Sequence, residues 1–278
     1  MGNNSNEMLY CLLGNGIKNS LSPIIQNSFF QSNNLEGYYT TLNVNSNDLE
    51  IILDTLPKLN FHGANVTIPH KTNIIPYLDS LDPLASSVNA VNTILFENEE
   101  LIGYNTDVEG FMNPLLNQIQ QFNNKKVVIL GSGGASKAVL YGLLNENCKE
   151  IIILNRTIEN TRKLVSKLNS NTSISFHELN QKNIDSLSNI DIMINTVPLH
   201  KTNTIFNFHP NLGIKLAYDL EYIPKETNFI KQMQSLNANV IYGYEMLLAQ
   251  ARLSFQIWTG ILPDDNSIND KVLSVLGN

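Results

Sequence analysis

The stretch Asn65-Val66-Thr67-Ile68-Pro69-His70-Lys71 brings an amide, a hydroxyl, an imidazole and an ammonium within seven residues. In an extended chain Asn65 and Thr67 point to the same side, and Lys71 follows directly behind the turn that Pro69 enforces. Three other stretches share this character: Ser20-Leu21-Ser22-Pro23, Ala90-Val91-Asn92-Thr93 and Asn105-Thr106-Asp107. Each places short polar side chains at the end of a strand pattern, where α/β folds gather ligands. Serine, threonine and asparagine bind hydroxyls and a carboxylate without requiring a charge, and one lysine with one aspartate supplies proton transfer. Taken one at a time, these residues also have plain structural uses. Ser22 reads as the N-cap of a helix opened by Pro23, Thr67 as the cap of a helix starting near Pro69, and Asp107 as the cap of the helix VEGFMNPLL. As a set they suit a polyhydroxylated acid, with Lys71 as its proton donor.

A second kind of chemistry sits in Gly131-Ser132-Gly133-Gly134-Ala135-Ser136. It follows the strand pattern VVIL and precedes a helix pattern, which is the context a dinucleotide fingerprint requires. Gly131 permits the tight turn, Gly133 lets backbone approach a pyrophosphate, and Ser136 stands where the pattern has its third glycine. The next strand, EIIILNR, ends in Asn155-Arg156-Thr157 with no acid at its tip. An acid there would hold a ribose 2′-hydroxyl, whereas the planar guanidinium of Arg156 suits a 2′-phosphate. The expected cofactor is therefore NADP, a hydride carrier.

These residues need strands to carry them. Leu9–Gly14, Glu36–Val44 and the GANVT stretch read as strands, with helices at 23–30 and 48–56, and Asn92–Thr106 reads as a hairpin. From Val108 onward strand and helix alternate: Lys125–Leu144, Glu150–Arg156, the helix TRKLVSKL, then strands in Asp191–Pro198 and Lys215–Tyr222. That rhythm implies βαβ units and a parallel sheet. Met246–Gly260 is an apolar helix that could return to the first block. The expected fold is α/β: a Rossmann-type doubly wound nucleotide domain at 108–246 and a smaller α/β substrate domain at 1–107 completed by 247–278.

Composition narrows the partners. The 278 residues are 42% hydrophobic and 15% charged, with a net charge of −7. That allows a real core and argues against nucleic acid or an anionic membrane as the main partner. No run reaches membrane-spanning length, and the polar start MGNNSNEM has no signal-peptide core. The two cysteines, Cys11 and Cys148, build no disulfide framework, which fits a reducing cytoplasm. No metal-ligand spacing stands out, and a monomer or homodimer is expected.

In order along the chain, from about residue 12 to 260, SLSP, NVTIPHK, AVNT, NTDVEGF, ILGSGGA, NRT, DLEYIP and MLLAQA with WTG resemble the shikimate dehydrogenase family. The resemblance implies NADP-linked reduction of 3-dehydroshikimate to shikimate in aromatic amino-acid biosynthesis. It also implies shikimate ligands at Ser20, Ser22, Asn65, Thr67, Asn92 and Gln250, with Tyr222 a weaker candidate, and a catalytic pair of Lys71 and Asp107. Cofactor contacts are implied at Gly131, Gly133, Gly134, Ala135, Asn155, Arg156, Thr157 and Gly243. The chain departs from the family pattern at Gln26, where a histidine is usual, and at Asn89 and Glu245, where glycine is usual. It departs again in NTVPLHK (195–201) and at Asn160, the place of a second basic residue. Glu245 brings bulk and charge to the expected nicotinamide end. Two alternatives therefore accompany the main reading: a quinate or dual quinate/shikimate dehydrogenase, and a catalytically weak ligand-binding paralogue.

Overall fold

The computed structural model describes residues 8–166, 172–199, 204–264 and 269–276. The chain divides into two compact units, Met1–Asp107 with Leu247–Val275, and Val108–Met246 with Leu276–Asn278.

The first unit carries β1 (Met8–Gly14), α1 (Ser22–Ser32), β2 (Gly37–Asn43), α2 (Leu49–Thr55), β3 (Phe61–Val66), β4 (Ser80–Leu81), α3 (Pro83–Val88), β5 (Thr93–Glu97) and β6 (Glu100–Tyr104). The strands form one mixed sheet in the order β2-β1-β3-β5-β6-β4. β5 and β6 are the expected hairpin, antiparallel from Thr93↔Tyr104 to Glu97↔Glu100. Asn98 and Glu99, both at positive φ, make its two-residue turn, the conformation that matches the twist of the flanking strands.

Period-two alternation sorts the side chains of this sheet. Cys11, Leu13, Ala64 and Val66 pack with Leu49 and Leu53 of α2 on one face. On the other, Tyr10 stacks on Phe30 of α1 and, at 4.7 Å between ring centres, on Trp258. Trp258 belongs to the long helix near the chain end, and its indole N–H donates to the Ile94 carbonyl at 2.9 Å. Gly63 is required beneath it, since a Cβ there would lie 2.4 Å from the indole nitrogen.

The second unit continues with α4 (Asp107–Gln118), β7 (Lys126–Leu130), α5 (Gly134–Asn145), β8 (Glu150–Asn155), α6 (Ile158–Val165), β9 (Ser173–Glu178), α7 (Gln181–Asp185), β10 (Ile192–Asn195), β11 (Leu216–Asp219), α8 (Asn228–Ser235) and β12 (Asn239–Ile241). After these come α9 (Gly243–Thr259), which contains the unit boundary, and α10 (Asn269–Leu276). All pairings in this sheet are parallel, in the order β12-β11-β10-β7-β8-β9. The strand order reverses between β7 and β10, the switch point of a doubly wound sheet. Both faces are covered: Val127 and Ile129 pack with α4 and α5, while Val128 and Leu130 pack with α7 and α8. Strands buried on both sides read as unbroken apolar runs, as VVIL and IIIL do.

The helix expected over TRKLVSKL is α6 through Val165, and its last two residues, Lys167 and Leu168, lie outside the described residues. Among the described residues, the non-glycine positions at positive φ are Asn34, Asn60, Asn89, Asn98, Glu99, Asn147, Asn189 and Asn237. Asparagine tolerates this left-handed region better than other side chains do. Asn89, which stands where the family pattern has glycine, is thereby explained: it ends α3 at φ 52°.

Candidate active site

In the first unit the polar stretches converge. The Lys71 ammonium lies 2.6 Å from Asp107 Oδ2. Asp107 Oδ1 accepts from Asn92 Nδ2 at 2.9 Å, so each carboxylate oxygen has a fixed partner. Lys71 is held at that place by backbone, because its carbonyl accepts from the Val91 N–H at 2.8 Å. His70 faces the other way and is buried, with Nε2 at 2.8 Å from the Val44 carbonyl. Its role is packing and anchoring.

Asn65 and Asn92 are almost entirely buried. Asn65 Oδ1 accepts from the Tyr39 hydroxyl at 2.8 Å. Its Nδ2 faces the Asn92 carbonyl, Thr93 Oγ1 and Ser254 Oγ, all between 3.0 and 3.1 Å. Burial holds the Tyr39 hydroxyl well above its usual pKa, with a contribution from Cys11 and an opposing hydrogen bond with Ser22. Tyr39 therefore remains a donor. Gln250 of α9 brings Oε1 to 3.4 Å from Asn92 Nδ2, while its own Nε2 donates to the Leu247 carbonyl.

Ser20 and Ser22 form a pair, with Ser20 Oγ donating to Ser22 Oγ at 3.1 Å and accepting the Ser22 N–H at 3.2 Å. Three capping expectations are corrected here. Ser22 is not an N-cap: it is the first residue of α1, and Leu21 holds the cap position without a side-chain bond. Thr67 caps no α-helix, because turns lead from it to a short 3₁₀ segment at Ile75–Tyr77. The Asp107 carboxylate is spent on Lys71 and Asn92, and the Asp107 N–H is itself held by Asn105 Oδ1 at 3.0 Å. Thr67 instead lays its methyl group over Gly14, where a Cβ would meet it at 2.5 Å.

In the second unit the glycine turn leaves β7 at the switch point. Gly131 has φ +101°, and a Cβ on it would lie 2.5 Å from Thr196 Oγ1, on the loop after β10. A Cβ on Gly133 or Gly134 meets nothing within 4 Å. The fold does not itself demand glycine at these two positions; the bare backbone leaves a cradle at the N-terminus of α5, whose N–H groups suit a phosphate. Ala135 is half-buried in the first turn. Ser136 takes the third glycine's place without crowding, since its buried hydroxyl bonds Thr196 Oγ1 at 2.7 Å.

Asn155 Nδ2 donates to the Thr157 carbonyl, shaping the turn after β8 that exposes Arg156 and Thr157. Asn160 is exposed, and Arg162 lies 3.6 Å from Glu159 on its own helix. The residues present fit a phosphorylated dinucleotide: a backbone cradle, and one exposed guanidinium where a 2′-phosphate would fall.

Tyr222 is half-buried, with its hydroxyl pushed up by burial. At Gly243 a Cβ would meet the Glu221 carbonyl oxygen at 2.5 Å, so glycine is required by close backbone approach. Glu245 turns back on its own helix: Oε1 accepts the Tyr242 N–H at 2.9 Å, half of a capping box. Burial raises its pKa against the effect of that bond. In NTVPLHK, Asn195 Nδ2 donates to Asp219 Oδ1 and to the Val197 carbonyl, and His200 and Lys201 lie outside the described residues.

Sequence reasoning did not single out Tyr39 or Ser254 in the first unit, named Thr93 and Thr106 only within their polar stretches, and missed the Thr161–Ser132 bond that ties α6 to the glycine turn at 3.0 Å. Ser254 had a usable signal, since it lies four residues past Gln250 and shares its helix face.

Three family models match the chain: the shikimate dehydrogenase substrate binding domain over residues 12–94, shikimate / quinate 5-dehydrogenase over 115–207, and the shikimate 5′-dehydrogenase C-terminal domain over 243–273. The shikimate dehydrogenase (NADP(+)) of Nitrosopumilus maritimus is 35% identical over 95% of this chain and 97% of its own length. That of Carboxydothermus hydrogenoformans is 38% identical over 94% of each. Among solved structures, a shikimate dehydrogenase in complex with NADP+ superposes with a TM-score of 0.87 at 32% identity, covering 99% of this chain and 98% of the other. The Listeria monocytogenes shikimate 5-dehydrogenase, in complex with shikimate and NAD, gives 0.85 at 27% identity over 96% of each. The chain belongs to the shikimate dehydrogenase family.

Proposed function

We propose that this protein is an NADP-dependent oxidoreductase that reduces 3-dehydroshikimate to shikimate in the chorismate branch of aromatic amino-acid biosynthesis. Family membership supports the reaction, and the partly buried Lys71–Asp107 pair at 2.6 Å carries the mechanism. Residues 1–107 with 247–278 hold the substrate, and 108–246 hold the cofactor. NADPH, when bound, supplies a hydride to the ketone carbon. Lys71 Nζ supplies the proton to the ketone oxygen, so the carbonyl becomes an alcohol, and it takes the proton back in the reverse direction. Asp107 fixes the ammonium's position and keeps its charge compensated in a partly desolvated site. Ser20 and Ser22 bind the substrate carboxylate; Thr67, Asn92 and Gln250 bind its hydroxyls, with Tyr222 as a weaker candidate ligand. Asn65 belongs to the same ligand set; its amide, like that of Asn92, is also held by neighbouring protein groups. Gly131, Gly133, Gly134 and Ala135 receive the pyrophosphate; Asn155, Arg156 and Thr157 receive the adenosine 2′-phosphate, and Gly243 lets backbone approach the nicotinamide.

No helix among the described residues is long and apolar enough to cross a membrane. A cytoplasmic monomer or homodimer acting on a small anionic substrate completes the reading. The test is an assay of the purified protein with shikimate and quinate, each against NADP and NAD, followed by nicotinamide absorbance. Turnover of shikimate with NADP at the highest kcat/KM of the four combinations is expected. Preference for quinate, or no turnover with any, overturns the reading.

A further inference from the structure

The hydrogen-bond directions around Asn92 can be worked out from donor counts. Asn92 Oδ1 accepts the Thr106 N–H at 2.8 Å. A backbone N–H can only donate, so this bond fixes which end of the amide is oxygen. Asn92 Nδ2 must then face the opposite side, where it meets Asp107 Oδ1 at 2.9 Å and Thr106 Oγ1 at 2.8 Å. Thr106 Oγ1 has accepted, and its own hydrogen needs an acceptor. Ser254 Oγ, at 3.2 Å, is the side-chain atom placed to take it. Ser254 has a single hydrogen, and the Gln250 carbonyl one turn earlier on α9 accepts it at 3.0 Å. The serine oxygen is then left as an acceptor shared by Thr106, by Asn65 Nδ2 at 3.0 Å and by Thr93 Oγ1 at 2.8 Å, whose hydroxyl also reaches Asn92 Oδ1 at 3.1 Å.

We propose that Thr106 and Ser254 are positioning residues for the acid–base pair: through the amide of Asn92 they set the plane of the Asp107 carboxylate, and so the direction in which Lys71 presents its proton. Every residue in this relay belongs to the first unit, and Thr106, Asn92 and Ser254 are all buried. They contact Asp107 only through Asn92 or through the chain itself. A buried polar network is stiff when every member is satisfied and costly when one is not. Removing one hydroxyl from this relay takes away one of the partners that hold the amide plane, and a carboxylate whose second partner is less firmly held keeps the ammonium less well in one place. The inference rests on the Lys71–Asp107 reading above, and the experiment separates the two.

Thr106→Val replaces the hydroxyl by a methyl of nearly the same shape, Thr106→Ser keeps the hydroxyl, and Lys71→Ala serves as the reference. Each is measured for kcat, for KM of shikimate and for melting temperature. The expected result is a kcat about tenfold lower for Thr106→Val, corresponding to 1.4 kcal/mol of barrier, with KM within about twofold and kcat restored in Thr106→Ser. Ser254→Ala should reproduce the loss; should that variant not fold, the Thr106 pair decides alone. Wild-type kcat in Thr106→Val, or kcat and KM changing together with a fall in melting temperature and no rescue by serine, overturns the positioning role while Lys71→Ala remains inactive. Near-normal turnover in Lys71→Ala overturns the acid–base reading itself, and the relay with it.

Discussion

The two units hold their candidate residues in opposite ways. In the first, Asn65, Asn92 and Asp107 are at most 6% exposed, and each is bonded to other side chains. In the second, Gly133, Gly134 and Arg156 are exposed. The two glycines present bare backbone, and Arg156 has no ion pair among the described residues. The first is a polar core whose geometry is complete before a substrate arrives. The second is a surface whose contacts await a ligand. Substitutions in the first should therefore disturb chemistry and folding together, whereas substitutions in the second should change affinity and leave stability alone.

The strongest way to break this contrast is Lys71→Ala. Loss of general acid–base catalysis should lower kcat by about 100-fold or more, and the orphaned Asp107 carboxylate should also lower the melting temperature. A loss of turnover with no change in melting temperature would show that the pair is less coupled to the fold than its burial implies. Next comes Arg156→Ala. Removing one charged hydrogen-bonding partner costs about 1.5–3 kcal/mol, roughly tenfold to 150-fold in affinity. KM for NADP should rise by about that factor, KM for NAD should stay constant, and melting temperature should not move. An equal effect on both cofactors would mean that Arg156 packs over the adenine.

A smaller effect separates two glycines two residues apart. Gly131→Ala forces a left-handed φ and a clash with Thr196, and should cost about 1–3 kcal/mol of stability in denaturant unfolding. Gly133→Ala should leave stability unchanged and weaken NADP binding. The smallest effect is at Glu245. Its pKa is raised by burial from the ordinary 4.5, so the folded state binds more protons than the unfolded one over the window just above 4.5. Stability contributed by this residue is thus full below 4.5 and declines as pH rises through the raised value. Glu245→Gln keeps an acceptor for the Tyr242 N–H without the charge. Its stability relative to the parent protein should improve between pH 4.5 and 7, while KM for NADP stays the same. A large gain in NADP affinity would place the carboxylate beside the nicotinamide after all.

Much of the framework was legible because burial leaves a periodic mark. VVIL and IIIL are apolar throughout, and IMIN up to Asn195, since both faces of their sheet are covered, and the hairpin at 93–104 announced itself by polar turn residues between strand-forming runs. β9 and β12 escaped notice because they lie at the edges of the sheet, where SISFHE and NVI mix polar and apolar residues. The motifs located Lys71, Asp107 and Asn92. They gave no hint of Tyr39 or Ser254, because an isolated hydroxyl in an apolar strand or helix has no pattern, and its partners lie 26 and up to 189 residues away in the chain. The cap assigned to Ser22 failed for a local reason. Leu21 already has helical dihedrals, so the helix begins one residue earlier than Pro23 suggested, and Ser20 takes the Ser22 N–H.

The asparagines at left-handed turns bear on how this sequence can drift. Asn34, Asn60, Asn89, Asn147, Asn189 and Asn237 all occupy positions where glycine would be the conformational default. Glycine leaves the unfolded chain more freedom to lose than asparagine does, so each such turn is held at slightly lower entropic cost than a glycine turn would be. A lineage under pressure to accumulate asparagine could therefore lodge it at these corners, with the sheets, the buried polar network and the cofactor cradle untouched. The abundance of asparagine in this sequence and the integrity of the site are then independent variables, and relatives with glycine at the same corners should share the fold.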